Sequence, residues 1–202
     1  MARPATPAKT SAGKRRRADA ERSVAAILDA ARDALASDPD SSMSEIARRA
    51  GVVRATIYVH FPTRESLLDA VMERAVADVA EATRGAEPQR GEPVEALERV
   101  LRATWRELAR FHALLAINIA RLSPEELRRR HLPVLDQLQP LIERGQEQGA
   151  FRSDLPVEWH LAVIRAIVHT ASGESRSGRM TESEAEAAML STAISAISRR
   201  PS

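Results

Sequence analysis

The 202-residue sequence contains no cysteine, and this absence removes a whole group of stabilising and catalytic devices. Without thiols the chain cannot form disulfide bonds, and it cannot bind a metal ion through thiolate ligands. The absence also fits the reducing environment of the cytoplasm, which is the location we expect for this protein.

Aromatic residues and long apolar runs are scarce as well. Phe, Trp and Tyr make up only 3% of the residues, so a core must be built from Ala, Leu, Ile and Val. The longest apolar run, "ALLAINIA" at residues 113–120, is interrupted by Asn118 and is far shorter than the ~20 residues that span a bilayer. No apolar stretch follows the first basic residues, so we expect neither a membrane segment nor a secretory signal.

Charge, in contrast, is plentiful and unevenly distributed. Residues 1–64 carry twelve Lys/Arg and seven Asp/Glu, whereas residues 65–202 carry eighteen and twenty-one. A genome with a bias toward arginine codons would explain the abundance of arginine but not the excess of positive charge at one end of the chain. A basic first third attached to an acidic body indicates that this third contacts a polyanion.

The first third divides into an arm and a series of helices. Residues 1–17 are rich in Pro, Ala and Thr and end in four basic residues, which predicts a disordered basic arm, either inert or lying along DNA. From Ala18 apolar residues recur at helical spacing up to "SDPD", residues 37–40. Ser42 and Glu45 then form a capping box that opens a short helix, and Gly51 ends it.

The next segment, "TIYVHF" at residues 56–61, has the alternation typical of a β-strand, with Ile57, Val59 and Phe61 on one side. No second strand-like segment exists in the sequence, so a strand here would leave its backbone donors and acceptors unpaired. We therefore predict a short helix, with Ile57 and Phe61 one turn apart on its buried face.

Two short helices joined by a turn at residues 51–53, behind a longer helix, predict a helix-turn-helix that lays its second helix in the DNA major groove. On that helix Arg54 can pair with guanine, Ala55 allows close approach, and Val59 can pack on a thymine methyl group. Hydroxyl groups and the start of the following helix can contact phosphates. The predicted DNA-contacting residues are Ser42, Arg54, Ala55, Thr56, Tyr58, Val59, His60, Thr63 and Arg64. The spacing of these helices is also compatible with a three-helix module that has a solvated basic face and never contacts DNA.

The remaining two thirds are predicted to be helical too, which gives an all-α fold of about nine helices. The main boundary is "RGAEPQRGEP", residues 84–93. A helix that opens at Ser123 contains Pro133 and Pro140, and because an interior proline costs about 3 kcal/mol we expect it to be kinked or split. "SGESRSGR", residues 172–179, is predicted to be a flexible loop, and Thr181 with Glu184 a capping box before the last helix.

The stretch "SSMSEIARRAGVVRATIYVHFPTRESLLDAV", residues 41–71, resembles the DNA-binding domain of the TetR family of bacterial transcriptional regulators. The residues that carry the resemblance are Ile46, Ala47, Ala50, Gly51, Val52, Thr56, Ile57, Tyr58, His60, Phe61, Pro62, Arg64, Glu65, Leu67 and Leu68. Two positions depart from the family pattern: Val53 stands where Ser or Thr usually caps the recognition helix, and Arg64 replaces a usual lysine. "LIERGQEQGAFRSDLPVEW", residues 141–159, is similar to the end of the family's long helix and the start of the next, so the resemblance extends over residues 18–198.

The resemblance implies a helix-turn-helix domain at residues 18–64 and a larger helical ligand-binding and dimerisation domain at residues 65–198, with a linking helix at residues 63–84. The last two helices, about residues 156–172 and 182–198, would form a four-helix bundle with their symmetry mates; alternatively, their apolar stripes only close the core of a monomer. The implied homodimer would place two recognition helices on half-sites ~34 Å apart, so a palindromic operator is expected. The family's usual role is repression, and we expect no cofactor or metal.

The resemblance also implies a small-molecule effector in the helical body that shifts the linking helix and releases the DNA. The candidate pocket residues are Trp105, Phe111, His112, Leu115, Asn118, Leu135, Leu138, Trp159 and His169. The low aromatic content argues against a pocket that stacks flat aromatic cations. A bacterial regulator of this kind would be associated with the nucleoid.

Two other classes of function fit the sequence less well. A helical enzyme is disfavoured because the sequence has no H-E-x-x-H, no Glu-x-x-His pair, no Gly-rich phosphate loop and no G-x-S-x-G, and its scattered histidines predict no catalytic site. An architectural DNA-binding protein would share the basic first third but would not need the acidic helical body.

Overall fold

The computed structural model describes residues 9–109 and 122–199, and these residues form two compact units that divide between Val71 and Met72. Every regular element in the described ranges is a helix, and the one β-type contact is an isolated bridge between Phe151 and Ser198. The predicted all-α fold is therefore confirmed.

Eight helices occur in the described ranges. They are α1 (Lys9–Ser37), α2 (Met43–Arg49), α3 (Arg54–His60), α4 (Arg64–Gly85), α5 (Pro93–Ala109), α6 (Pro124–Glu147), α7 (Val157–Arg176) and α8 (Glu182–Ile197). About nine were predicted. The apolar stretch that was predicted to continue the stripe of α5, residues 111–122, lies outside the described residues except for Leu122.

The predicted helix starts agree with the caps in the structure. The hydroxyl groups of Ser42, Ser123 and Thr181 each accept a hydrogen bond from the amide three residues later, at 3.1–3.2 Å. Glu184 also accepts from the Thr181 amide at 2.8 Å, so the last helix opens with a full capping box. The box predicted at Ser42 is only half formed, because the Glu45 carboxylate binds two arginines instead of the Ser42 amide.

Helix α1 begins earlier than the sequence predicted. Residues 9–17 were assigned to a disordered arm, whereas the structure includes them in a helix that starts at Lys9. The Pro residues of the arm all precede position 9, and five of residues 9–17 are Lys or Arg, which have high helix propensity. The arm was predicted from its composition as a whole, and this local difference was missed.

The proline-containing helix α6 runs without interruption from Pro124 to Glu147, so of the two predicted alternatives, a kink or a split, the split is excluded. Each interior proline removes one backbone donor, but the surrounding turns of a long packed helix remain in place. The side-chain amide of Gln137 donates to the Pro133 carbonyl at 2.7 Å and adds a local contact there.

Helix α7 continues into a segment that was predicted to be a loop. Of residues 172–179, the first five belong to the helix, which ends at Arg176. Ser172 is buried, so the interior face of the helix extends past the small residues that suggested a loop. The true turn is short and contains Gly178, whose φ of 72° suits glycine.

Each unit has its own apolar core. In the first unit the core residues are Ile27, Ala31, Leu35, Met43, Ile46, Ala47, Ile57, Phe61, Leu67, Leu68 and Val71. In the second unit the core is formed by α5, α6, α7 and α8 together with the part of α4 that follows Val71. Among the described helices, none combines the length and the apolar character needed to cross a bilayer.

A close contact fixes the end of α6. The ring of Phe151, which is 1% exposed, lies directly on Gly145, and the Gly145 carbonyl accepts hydrogen bonds from the amides of Ala150 and Phe151, both at 2.9 Å. A β-carbon at Gly145 would overlap this ring. Only glycine therefore allows the chain to fold back on the helix at this point.

Candidate nucleic-acid interface and ligand cavity

The turn between α2 and α3 is set by Gly51. Its φ of 68° lies in the left-handed region that glycine adopts without strain. The Gly51 amide donates to the Arg48 carbonyl at 3.2 Å and the Val52 amide to the Ala47 carbonyl at 3.0 Å. These two bonds are the Schellman pattern that ends a helix and reverses the chain, so the predicted helix–turn–helix geometry is present.

Helix α3 is held by two apolar side chains. Ile57 is fully buried and Phe61, at the C-terminal cap, is 7% exposed, so the strand-like "TIYVHF" segment is seated as the predicted helix. Val53 occupies the N-cap and provides no side-chain hydrogen bond, as its chemistry dictates. The helix is short and uncapped at its start, and burial of these anchors compensates for its β propensity.

The opposite face of α3 is exposed and unusually apolar. Val53 and Val59 are 70% and 77% exposed, and Tyr58 is 38% exposed. Ala55 and Arg54 are exposed beside them, whereas His60 is partly buried. A surface with small apolar groups, one hydroxyl and one guanidinium suits contact with thymine methyl groups, phosphates and guanine edges in a major groove.

Arg54 and Tyr58 lie one turn apart and interact directly. The Arg54 guanidinium carbon is 5.6 Å from the centroid of the Tyr58 ring. Such a contact orients a guanidinium without neutralising it. Arg54 therefore keeps its hydrogen-bond donors for an external acceptor.

Arg64 has a different environment from the one predicted for a phosphate-binding residue. Its guanidinium donates to the carbonyl of Ser41 and, at 2.6 Å, to the carbonyl of Pro39. It thus ties the start of α4 to the loop between α1 and α2. Thr63 caps α4 as predicted, since its hydroxyl accepts from the Ser66 amide at 3.1 Å.

The outward face of α2 carries a small charge network. The guanidinium groups of Arg48 and Arg49 donate to Glu45 at 2.6 and 2.9 Å. These hydrogen bonds, first from Arg48 and then from Arg49, lower the pKa of the Glu45 carboxyl to about 2. Both arginines remain exposed, as predicted, and the network leaves one net positive charge beside the exposed hydroxyl of Ser42.

The second unit contains a cavity of about 60 Å³ between α4, α5, α6 and α7. Its wall is mainly apolar, and four polar side chains interrupt it: Thr104, His131, Arg165 and His169. The other described residues of the wall are Met72, Ala75, Val76, Val79, Leu101, Leu108, Val134, Leu135, Leu138, Leu161, Ile164 and Val168. An apolar cavity with a few convergent polar groups is the usual form of a small-molecule site.

Two of the polar groups form an edge-to-face pair of imidazoles. The rings of His131 and His169 are 5.2 Å apart between centroids, at an interplanar angle of 83°. Burial, and to a smaller extent the neighbouring His131 and Arg165, lower the pKa of His169 to about 4. Burial likewise lowers the pKa of His131, whose Nδ1 lies 2.7 Å from the Leu127 carbonyl oxygen. Both rings are therefore neutral near pH 7.

The structure brings together some of the predicted pocket residues and not others. Leu135, Leu138 and His169 line the cavity. Trp105 is a buried core residue that does not belong to the described part of the wall. Trp159 is 55% exposed, since it precedes the wall residue Leu161 by two positions and so points away. The predicted Phe111, His112, Leu115 and Asn118 lie outside the described residues.

Sequence reasoning missed the charged member of the wall. Arg165 interrupts the apolar stripe of α7 between Ile164 and Val168, and a charge at such a position was the signal available in the sequence. His160, in contrast, is a structural histidine: it is buried and its Nε2 lies 2.9 Å from the Arg152 carbonyl oxygen.

Comparisons with known families match both parts of the chain. The profile described as "Bacterial regulatory proteins, tetR family" matches residues 27–71. The profile described as "Tetracyclin repressor-like, C-terminal domain" matches residues 93–197. Together these matches span the helix-turn-helix and most of the second unit.

Individual proteins show the same similarity. The HTH-type transcriptional regulator NfxB of Pseudomonas aeruginosa is 26% identical over 152 residues, which cover 74% of this chain and 81% of NfxB. The HTH-type transcriptional repressor LfrR of Mycolicibacterium smegmatis is 42% identical over 82 residues, or 40% of this chain and 43% of LfrR.

Solved structures share the fold over most of the chain. The crystal structure of LfrR in complex with proflavine has a TM-score of 0.66 at 24% identity and covers 89% of this chain and 98% of that one. The structure of FadR from Bacillus subtilis in complex with stearoyl-CoA has a TM-score of 0.69 at 22% identity, with coverage of 84% and 97%.

Proposed function

The chain belongs to the TetR family of bacterial transcriptional regulators, and we propose that it is a dimeric repressor that binds a palindromic operator and is released by a small molecule. Its membership makes it a DNA-binding regulator rather than an enzyme. Repression, the operator, the dimer and the effector are the proposed parts, together with a location at the bacterial nucleoid.

The observation that carries the DNA-binding part of the proposal is the exposed face of α3. Val53, Tyr58 and Val59 are turned outward while Ile57 anchors the helix from behind. Exposed apolar side chains grouped on one face of a short helix favour an interaction surface, and thymine methyl groups in a major groove are a suitable partner. Arg54 and Ala55 on the same face supply a guanine contact and room for close approach.

The faces of α7 and α8 support the dimer. Several of their exposed positions carry small uncharged residues, which allow two copies of the helices to pack closely: Ala166, Thr170, Ala187, Ala188, Ser191, Thr192 and Ser195. The exposed Trp159 adds a large apolar side chain to α7. A two-fold axis through such a four-helix contact would present two recognition helices to half-sites ~34 Å apart.

The cavity supports a small-molecule effector. LfrR has been crystallised with proflavine and FadR of Bacillus subtilis with stearoyl-CoA, so relatives of this fold bind compounds of very different chemistry. In this chain Met72, Ala75 and Val76 of α4 form part of the cavity wall. A ligand that binds more tightly when α4 is displaced would favour the arrangement with low DNA affinity.

Selection of binding sites from random double-stranded DNA tests the proposal. We expect one palindromic consensus, bound at least ~10³-fold more tightly than random DNA of equal length, and one dimer per palindrome by sedimentation or native mass spectrometry. Equal affinity for the selected and the random DNA would contradict it and would instead indicate an architectural protein. Fusion of the selected operator to a reporter promoter then distinguishes repression from activation.

A further inference from the structure

The polar groups in the described part of the cavity wall are all neutral or basic. Thr104, His131, His169 and Arg165 interrupt an otherwise apolar surface, and no Asp or Glu belongs to the described part of the wall. A cationic ligand would therefore find no counter-charge among these residues. A ligand with a negative charge would find a guanidinium.

Arg165 is placed to meet such a ligand. It belongs both to the wall of the cavity and to a groove on the outer side of α6 and α7, so it stands between the interior and the surface. Asp136 and Glu158 border the same outer groove, yet no ion pair or hydrogen bond joins Arg165 to any other described residue. A partly buried guanidinium without a protein partner is costly unless a ligand or solvent satisfies it.

A second unpaired group lies on the same helix. The Nδ1 atom of His169 is buried and has no hydrogen-bond partner among the described residues. His169 is one turn after Arg165, so the two side chains project from the same face of α7 into the cavity. A neutral imidazole has one N–H, which an acceptor oxygen at this place can bind.

We propose that the effector is a slender apolar anion, such as an unbranched carboxylate, whose head group binds Arg165 and whose tail occupies the apolar cavity. The inference rests on the proposed function in taking the cavity as the effector site, and it adds the chemical class. The volume of about 60 Å³ favours an unbranched chain over a fused ring system. The outer groove gives the carboxylate a way to reach Arg165 while the tail enters between α6 and α7.

Calorimetric titration of the DNA-free protein with three eight-carbon probes tests the proposed class. Octanoate, octanol and octylammonium share a tail and differ only in the charge of the head group. We expect octanoate to bind at least about tenfold more tightly than octanol, because a charge-assisted bond to Arg165 is available only to the anion. Octylammonium should bind more weakly than octanol.

Variants at Arg165 locate the head group. Arg165→Met keeps the apolar stem and should reduce octanoate affinity about tenfold or more without changing octanol affinity, whereas Arg165→Lys should retain most of the preference for the anion. Arg128→Met removes the same charge from the outer groove alone and should leave octanoate binding unchanged. Thermal unfolding without ligand establishes that each variant is folded.

The results separate the two proposals. Equal binding of octanoate and octanol, unchanged octanoate binding by folded Arg165→Met, or no binding of any probe would overturn the assignment of an anionic effector. If octanoate binds as expected but does not dissociate the selected operator, the anion site stands and release by a ligand is contradicted. Failure to select any operator contradicts the proposed function and leaves the calorimetric result unaffected.

Discussion

The guanidinium of Arg64 already forms hydrogen bonds to other parts of the protein. This arginine replaces the lysine usual in the family at this position and binds the carbonyl groups of Ser41 and Pro39. A lysine ammonium is a compact point charge, whereas the planar guanidinium of Arg64 binds the two carbonyl oxygens with two separate nitrogens. The substitution therefore adds a structural role at a position that the sequence alone assigned to DNA contact.

A pair of arginine variants distinguishes these roles. Arg64→Ala should lower the free energy of unfolding by about 1–3 kcal/mol, because two carbonyl groups lose their charged donor. Arg54→Ala removes an exposed guanidinium and should change stability by less than ~1 kcal/mol while weakening operator binding. Urea unfolding and a DNA-binding titration of both proteins provide the comparison, and equal stability of the two variants would contradict the structural role of Arg64.

Val59 is expected to read one base pair in each half-site. At 77% exposure it contributes little to stability, so Val59→Ala should remain folded with an unfolding free energy within ~0.5 kcal/mol of the wild type. Loss of two methyl groups should relax the preference for thymine at one position per half-site. Binding-site selection with the variant measures this preference, and an unchanged consensus would remove Val59 from the groove-facing set.

At the scale of elements, the helix caps were the most predictable features. The helices that begin after Ser42, Ser123 and Thr181 were predictable because Ser or Thr followed three residues later by Glu is a local pattern that the sequence displays directly. The burial of Ile57 was also predictable, since no partner strand was available. Local sequence patterns were enough to predict a contact when its two residues lie within one helical turn of each other.

Features that depend on distant residues were not predictable in the same way. The continuity of α6 through Pro133 depends on packing of the whole helix, and the bonds of Arg64 join residues more than twenty positions apart. The cavity was found only in part, because which stripe of each helix faces it depends on how four helices pack. Trp105 and Trp159 were predicted to line the cavity, but neither belongs to the described part of its wall.

The contact of Phe151 with Gly145 gives a direct test of packing at the end of α6. Gly145→Ala should destabilise the protein by about 1–3 kcal/mol, because the new methyl group overlaps a ring that is held by its own backbone bonds. Gly173→Ala is the matched control: it lies within α7 with no atom near its added Cβ, and should stabilise by about 0.5–1 kcal/mol. Thermal unfolding compares the two, and a neutral Gly145→Ala would contradict the close contact.

The imidazole pair between α6 and α7 predicts a dependence of stability on pH. His169 has a pKa of about 4 in the folded protein, below its value of about 6.5 when unfolded, so unfolding takes up a proton between these values. The stabilisation is complete above pH 6.5 and is lost as the pH falls towards 4, by on the order of 2–3 kcal/mol.

His169→Leu should remove much of this loss while the protein remains folded at pH 7. Urea unfolding of both proteins at pH 7 and pH 4.5 gives the two differences. If the variant loses as much stability on acidification as the wild type, His169 is not the residue that titrates.

At the scale of the whole molecule, we expect the segregation of charge to influence how the protein binds DNA. The excess of positive charge lies before residue 65, and three consecutive exposed arginines, at positions 15, 16 and 17, belong to α1. A helical segment holds these charges in a fixed array, whereas the predicted flexible arm would spread them over many positions. Binding of such an array to phosphates releases counterions and makes affinity depend on salt.

Replacement of all three arginines with Gln should therefore flatten the plot of log affinity against log salt concentration. Each phosphate contact contributes about 0.9 to the slope, so the slope should fall by between about one and three, with no change in the selected consensus. A control variant with the same loss of charge replaces three exposed arginines of the second unit: Arg106, Arg128 and Arg176. If the control triple lowers the slope by the same amount, net charge alone is responsible. If the slope is unchanged for the triple at positions 15–17, the start of α1 does not reach the phosphate backbone.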